Sequence, residues 1–165
     1  MKTLRESILN RSSHTGEGFK VQRRELIEKW LKKYEVQNYT INKDFTIYVN
    51  GDVNLFKRDL KEFPDYIQFG VVRANFHCGG NKLTSLEGAP EKVGGAFFCS
   101  DNQLTSLEGA PEDVGGDFGC DNNKLTSLKG APKYVRGDFY CYNNKVQFTE
   151  KDVLNVCEVR ELIFL

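Results

Sequence analysis

From residue 72 onward, apolar positions return every 21 residues, and the polar residues between them return with the same step. Aligning Phe76, Phe97, Phe118 and Phe139 brings Cys78, Cys99, Cys120 and Cys141 into register, and the shared pattern reads V-x-x-x-F-x-C-x-x-N-x-L-T-S-L-x-G-A-P. Self-similarity at a fixed period of about 20 to 30 residues marks coils that bury an apolar face only by stacking on their neighbours. Within F-x-C the two apolar residues are two apart, so both point to one side of a strand and the residue between them to the other. The pattern therefore predicts Phe97 and Cys99 inside and Phe98 outside. Asn81, Asn102, Asn123 and Asn144 stand where the chain leaves the strand, placed to pair with backbone groups that lose their partners there. Gly88, Gly109 and Gly130, each followed by Ala and Pro, mark tight corners.

Degenerate copies flank this tract. Val53, Leu55, Leu60 and Phe63, with Pro64 after them, repeat the spacing of Phe97, Cys99, Leu104 and Leu107, with Arg58 in the asparagine position. Leu162 and Phe164 stand 23 residues beyond Phe139 and Cys141, the step that also separates Val53 and Leu55 from Phe76 and Cys78. Six strands in one ladder are expected. Thr149 to Asp152 carries an N-cap signal for a short helix that turns Val153, Leu154 and Cys157 inward. Upstream, Leu26, Ile27, Trp30, Leu31 and Tyr34 recur at helical spacing between about Lys20 and Glu35, opposite a charged, solvated face. Tyr39 to Val49 alternates and runs into Asn50-Gly51, a strong hairpin signal, which makes Asp52 to Leu55 the returning strand and first rung. Residues 3–10 suit a short helix bearing Leu4, Ile8 and Leu9, and Arg11 to Gly18 a flexible joint. The expected organisation is 1–18 helix and joint, 19–52 N-terminal cap, 53–148 repeats and 149–165 C-terminal cap.

The run F-x-C-x-x-N-x-L-x-x-L resembles the core of leucine-rich repeats. Its continuation L-x-G-A-P-x-x-V resembles the closing part of the short bacterial type, with one residue added. The resemblance covers residues 53–148 and implies a curved parallel sheet on a concave side and irregular backbone on a convex side. The expected fold class is thus an α+β repeat solenoid: a leucine-rich-repeat curved parallel sheet of about six strands, capped by an N-terminal helix plus β-hairpin and a short C-terminal helix. The opening Met-Lys-Thr-Leu-Arg-Glu-Ser-Ile-Leu resembles the starts of proteins from gut-bacterial tailed phages. That implies a docking or packaging tag on a phage-encoded protein, with a frayed helix as the plainer reading.

Composition narrows the function. No apolar run reaches the roughly 18 residues of a membrane span, and the polar start does not suit a signal peptide, so no membrane and a cytoplasmic, reducing location are expected. Free thiols follow. In-register strands lie about 4.8 Å apart, so the four cysteines would stack as a dry ladder; with no C-x-x-C pair or histidine cluster, core packing is favoured over a disulfide or metal site. Net charge is zero, but residues 1–63 carry 13 Lys and Arg against 9 Asp and Glu, leaving the repeats mildly acidic. Nucleic acid is disfavoured as a partner.

Projected onto its strands, the repeat displays His77, Phe98, Gly119 and Tyr140 between the core positions. Asn75, Ala96, Asp117 and Asp138 flank them on one side, and Gly79, Ser100, Asp121 and Tyr142 on the other. Variation confined to these positions suits a presented binding surface; the plainer reading is aromatics pairing across a small sheet. Phe98, Tyr140 and Tyr142 are of the types enriched at interface centres, and Asp117, Asp121 and Asp138 supply acceptors. Enzymatic readings fare poorly: the histidines are His14 and His77, and no G-x-S-x-G, phosphate loop or H-E-x-x-H occurs. Some effectors with similar repeats add a ubiquitin-ligase domain, but the chain ends eight residues past Cys157. The expectation is a non-enzymatic module, with no cofactor and no metal, that binds a protein through the concave face. The alternatives are a carbohydrate or cell-surface binder and a virion component recruited by its N-terminal helix.

Overall fold

A computed structural model describes residues 16–165, so the expected helix over residues 3–10 lies outside the described residues. The chain enters through helix α1 (Gly16–Lys33) and a hairpin, β1 (Tyr39–Ile41) and β2 (Ile47–Val49). It then winds as a solenoid through β3 (Val53–Asn54), β4 (Phe69–Val72), β5 (Phe76–His77), β6 (Lys92–Val93), β7 (Phe97–Phe98), β8 (Asp113–Val114) and β9 (Phe118–Gly119). The last turns hold β10 (Tyr134–Val135), β11 (Phe139–Tyr140), helix α2 (Glu150–Leu154), β12 (Glu158–Val159) and β13 (Ile163–Phe164).

Two sheets run along the axis. The front sheet has six strands in the order β13-β11-β9-β7-β5-β3, the rear sheet seven in the order β1-β2-β4-β6-β8-β10-β12. All neighbours pair in parallel except the antiparallel β1–β2 hairpin. The six front strands are those the repeat predicts. The rear sheet is new: it stands in the part of the coil for which the resemblance implies irregular backbone. Its inward residues, Val72, Val93, Val114 and Val135, are all buried. A valine four residues before each phenylalanine lets the chain pair once, turn through three small or polar residues, and pair again.

The core is made of like residues stacked on like. Phe76, Phe97 and Phe118 lie nearly parallel, with ring centroids 5.5 and 5.7 Å apart, and Phe139 continues the stack at 5.0 Å. Burying each such side chain contributes about 1.5–3 kcal/mol relative to exposure. The cysteine ladder lies inside and all five thiols are free. Each ladder asparagine ties coils together. The Nδ2 of Asn102 donates to the carbonyls of Cys78, Cys99 and Ser100, and its Oδ1 accepts from the Leu83 amide at 2.9 Å. Asn81, Asn123 and Asn144 repeat the arrangement. In the first coil Arg58 does not enter the ladder; its guanidinium reaches out to Glu35 at 2.7 Å.

At the front end, α1 lays Ile27, Trp30 and Leu31 over the first coil, Trp30 meeting Phe63 and Phe69 at 6.3 and 6.1 Å. The helix starts earlier and stops earlier than the pattern between Lys20 and Glu35 suggests. It closes with Glu35 in the left-handed region (φ 58) and the Val36 amide bonded back to the Leu31 carbonyl, a helix end that usually calls for glycine.

Three expectations are corrected. The hairpin turns at residues 42–46, not at Asn50-Gly51: the Asp44 carboxylate accepts from the amide and hydroxyl of Thr46, and Asn42 and Thr46 close the loop. Asn50-Gly51 instead carries the chain from the rear to the front sheet, where β3 pairs in parallel with β5. At the far end Phe139 pairs with Ile163 and Tyr140 with Phe164, so the register is one residue later than expected. A one-residue slip exchanges the faces: Ile163 turns to the core, while Leu162 is 63% exposed and Phe164 lies outside. Helix α2 starts on a Thr149/Asp152 capping box and buries Val153, with Cys157 buried after it, but Leu154 is 52% exposed.

Candidate binding face

The wall available for recognition is the outer side of the front sheet, because its inner side is filled by the phenylalanine and cysteine ladders. Along its midline the strands present Asn54, His77, Phe98, Gly119, Tyr140 and Phe164. Aromatic rings join rung to rung. Phe56 stacks on His77 with centroids 4.6 Å apart, His77 meets Phe98 edge-on at 5.6 Å, and Tyr140 stacks on Phe164 at 4.7 Å and 7°. Phe98 and Tyr140 stand two rungs apart, about 9.6 Å at one strand spacing per rung.

Gly119 occupies the rung between them, and its bareness has a cause. A Cβ there would lie 2.7 Å from Cδ1 of Phe98 and 2.9 Å from Oγ of Ser100, so the Phe98 ring lies across the glycine. Two members of this row were not evident from the sequence. Phe56 follows the strand of the most degenerate coil and folds over His77, and Phe164 reaches the wall only through the shifted register. A displayed aromatic one residue after an inward position was the available signal for Phe56.

The carboxylates on this wall bind its own rungs together. Asp117 Oδ1 accepts from the Asp138 amide at 3.0 Å, Asp138 Oδ1 from the Leu162 amide at 2.9 Å, and Asp138 Oδ2 from the Tyr140 hydroxyl at 2.9 Å. Asp52 and Asn75 do the same for the earlier rungs. Asp121 is 7% exposed; it accepts from the Ser100 hydroxyl and from Nδ2 of Asn122. The structure thus brings His77 against Phe98, and Asp138 against Tyr140. Tyr142 is 38% exposed and lies within the field of Asp121.

The field on this wall is negative. The hydrogen bond to Asp138 holds the Tyr140 phenol above its ordinary pKa, and the Asp121 charge does so for Tyr142. Burial lowers the His77 pKa from its ordinary value, and its imidazole lies against the Phe56 and Phe98 rings. Burial likewise pushes the Cys78 thiol up to about 12 and Cys99 and Cys120 well above their usual range. A thiol that cannot form its thiolate is a packing group, not a nucleophile. Among the described residues no group of three His, Cys, Asp or Glu side chains converges to hold a metal ion, and no helix is long and apolar enough to cross a membrane.

The chemistry offered is therefore that of a rigid, aromatic, acidic surface: stacking faces, carboxylate acceptors and phenol hydroxyls fixed by interior ladders. Comparison of the chain with protein-family models, with curated proteins and with solved structures finds no match.

Proposed function

We propose that this chain is a non-enzymatic recognition module that takes a protein partner on the outer face of its front sheet. One observation carries the reading: Phe56, His77, Phe98, Tyr140 and Phe164 line a wall whose composition varies from rung to rung, while the interior positions scarcely vary at all. Large rigid rings of this sort dominate the energy of protein interfaces. The carboxylates of Asp117 and Asp138 lie beside them, which suits a partner with a basic surface. The F-x-C-x-x-N-x-L-x-x-L run supports a module of the leucine-rich-repeat kind. The opening nine residues support a phage-encoded protein acting on a host protein in the bacterial cytoplasm.

The face-to-face Tyr140–Phe164 stack beside Asp138 favours a second reading, a carbohydrate binder, since sugars pack on aromatic rings next to carboxylates. The test is affinity capture from the native host with the wild-type chain and with Phe98→Ser/Tyr140→Ser/Tyr142→Ser, compared by quantitative mass spectrometry. A protein partner is enriched by the wild type and lost from the triple variant. A glycan-array signal that disappears in the same variant supports the carbohydrate reading instead. Capture that both chains share overturns the assignment of the face. Capture lost only on deleting residues 1–18 assigns the interaction to the N-terminal segment, as an assembly component requires.

A further inference from the structure

The two ends of the solenoid differ. The first coil lies under α1 and the hairpin, with Arg24 Nη1 donating to the Ile41 carbonyl of β1 and Arg58 bound to Glu35. Among the described residues the last coil has no such cover. Val146, Leu154, Val156, Leu162, Phe164 and Leu165 all belong to it and are 39–63% exposed, a concentration of apolar surface found nowhere else among the described residues. β12 and β13 are the edge strands of the two sheets here, unpaired on their outer side among the described residues.

The β12 edge carries its own complement. Its Glu158 and Arg160 amides donate to the Lys133 and Val135 carbonyls of the preceding turn. Successive residues of a strand bond to opposite sides, so the N–H and C=O of Val159 face the open edge. Earlier in the solenoid, outer charges find partners one coil back: Lys129 with Glu108, Lys133 with Glu112, Arg136 with Asp113. Arg160, in register with Arg136, and Glu158 form no ion pair among the described residues.

We propose that β12 pairs antiparallel with β12 of a second copy about a two-fold axis through Val159, closing the open end as a dimer. The two Val159 residues then exchange both of their backbone hydrogen bonds. Each Glu158 faces Arg160 of the second copy, so the missing ion pair forms twice, and the exposed apolar residues of the two last coils come together. A contact of this two-fold kind is isologous and stops at two chains.

Sedimentation velocity of the full chain tests this at micromolar concentration. The wild type should run at twice its 18.8 kDa. Glu158→Arg and Arg160→Glu each set like charges opposite one another twice, and each should weaken the dimer by roughly tenfold or more. The doubly swapped chain should regain the wild-type mass. Both positions are exposed, and circular dichroism checks that the fold persists. A monomeric wild type overturns the proposal, as does a dimer that both single variants leave unchanged or a folded double variant that stays monomeric.

Discussion

Asn102 shows how much one side chain does in this fold. Its amide holds the carbonyls of two successive coils and takes up the Leu83 amide, all at 8% exposure. Replacing it with leucine leaves the Leu83 amide buried and unpaired, a loss of about 1–3 kcal/mol, while the Cys78 and Cys99 carbonyls each give up one of two donors and keep Asn81 and Asn123. Asn102→Leu should therefore lower the unfolding free energy by about 1–3 kcal/mol in urea titrations; an unchanged midpoint would show that the ladder is ornamental. The preceding position is as constrained: Asp101, Asn122 and Asn143 sit at φ 52–55, where short polar side chains are tolerated, and Lys57 holds the same conformation without that advantage. His77 adds a pH signature. Its folded pKa lies below the ordinary value near 6.5 because burial disfavours the imidazolium, so the unfolded chain takes up its proton first. Stability from this residue is intact above about pH 6.5 and falls as the pH drops toward the folded pKa. In denaturant titrations between pH 7.5 and 5.5, His77→Gln should flatten that decline; an identical slope in the variant would refute the link.

At the scale of elements, the cysteine ladder is a stack of unreactive thiols. With pKa values of about 12 at Cys78 and Cys157 and about 11 at Cys141, little thiolate exists near neutrality. A thiol reagent at pH 8 should leave the native chain unmodified for hours and titrate all five cysteines in guanidinium; rapid native labelling would contradict a closed core. The front sheet could be read from the primary structure because inward residues recur two apart at a constant step, a period that belongs to strands. The rear sheet could not be so read. Its strands β6, β8, β10 and β12 are two residues long, and the Gly94-Gly95 and Gly115-Gly116 pairs that follow β6 and β8 resemble turn punctuation, though they are bare because the preceding coil's backbone lies against them. The hairpin was misplaced for a similar reason: Asn50-Gly51 is a turn, but one between sheets. The last strand slipped by one because α2 lengthens the final coil, and spacing alone does not say where the extra residue goes. The displayed row follows from the alternation at His77, Phe98 and Tyr140. Its outer members depend on ring conformation at Phe56 and on that slipped register at Phe164.

The whole molecule is a stack with unlike ends and an even charge balance unevenly spread. Apolar cover is concentrated at the start, where Trp30 and its neighbours seal the first coil, and apolar exposure at the finish. The long axis is uniform in between: β5, β7, β9 and β11 meet in one unbroken register, Phe76 on Phe97 on Phe118 on Phe139. A structure whose joints are interchangeable can be lengthened by copying. Duplicating a 21-residue segment of the gene would insert one more rung with its sockets already matched, extending the presented wall by about 4.8 Å and leaving both terminal units as they are. Reach in such a protein is a countable quantity, adjusted in whole steps, and a descendant could acquire a larger footprint without reinventing a single fold-determining position.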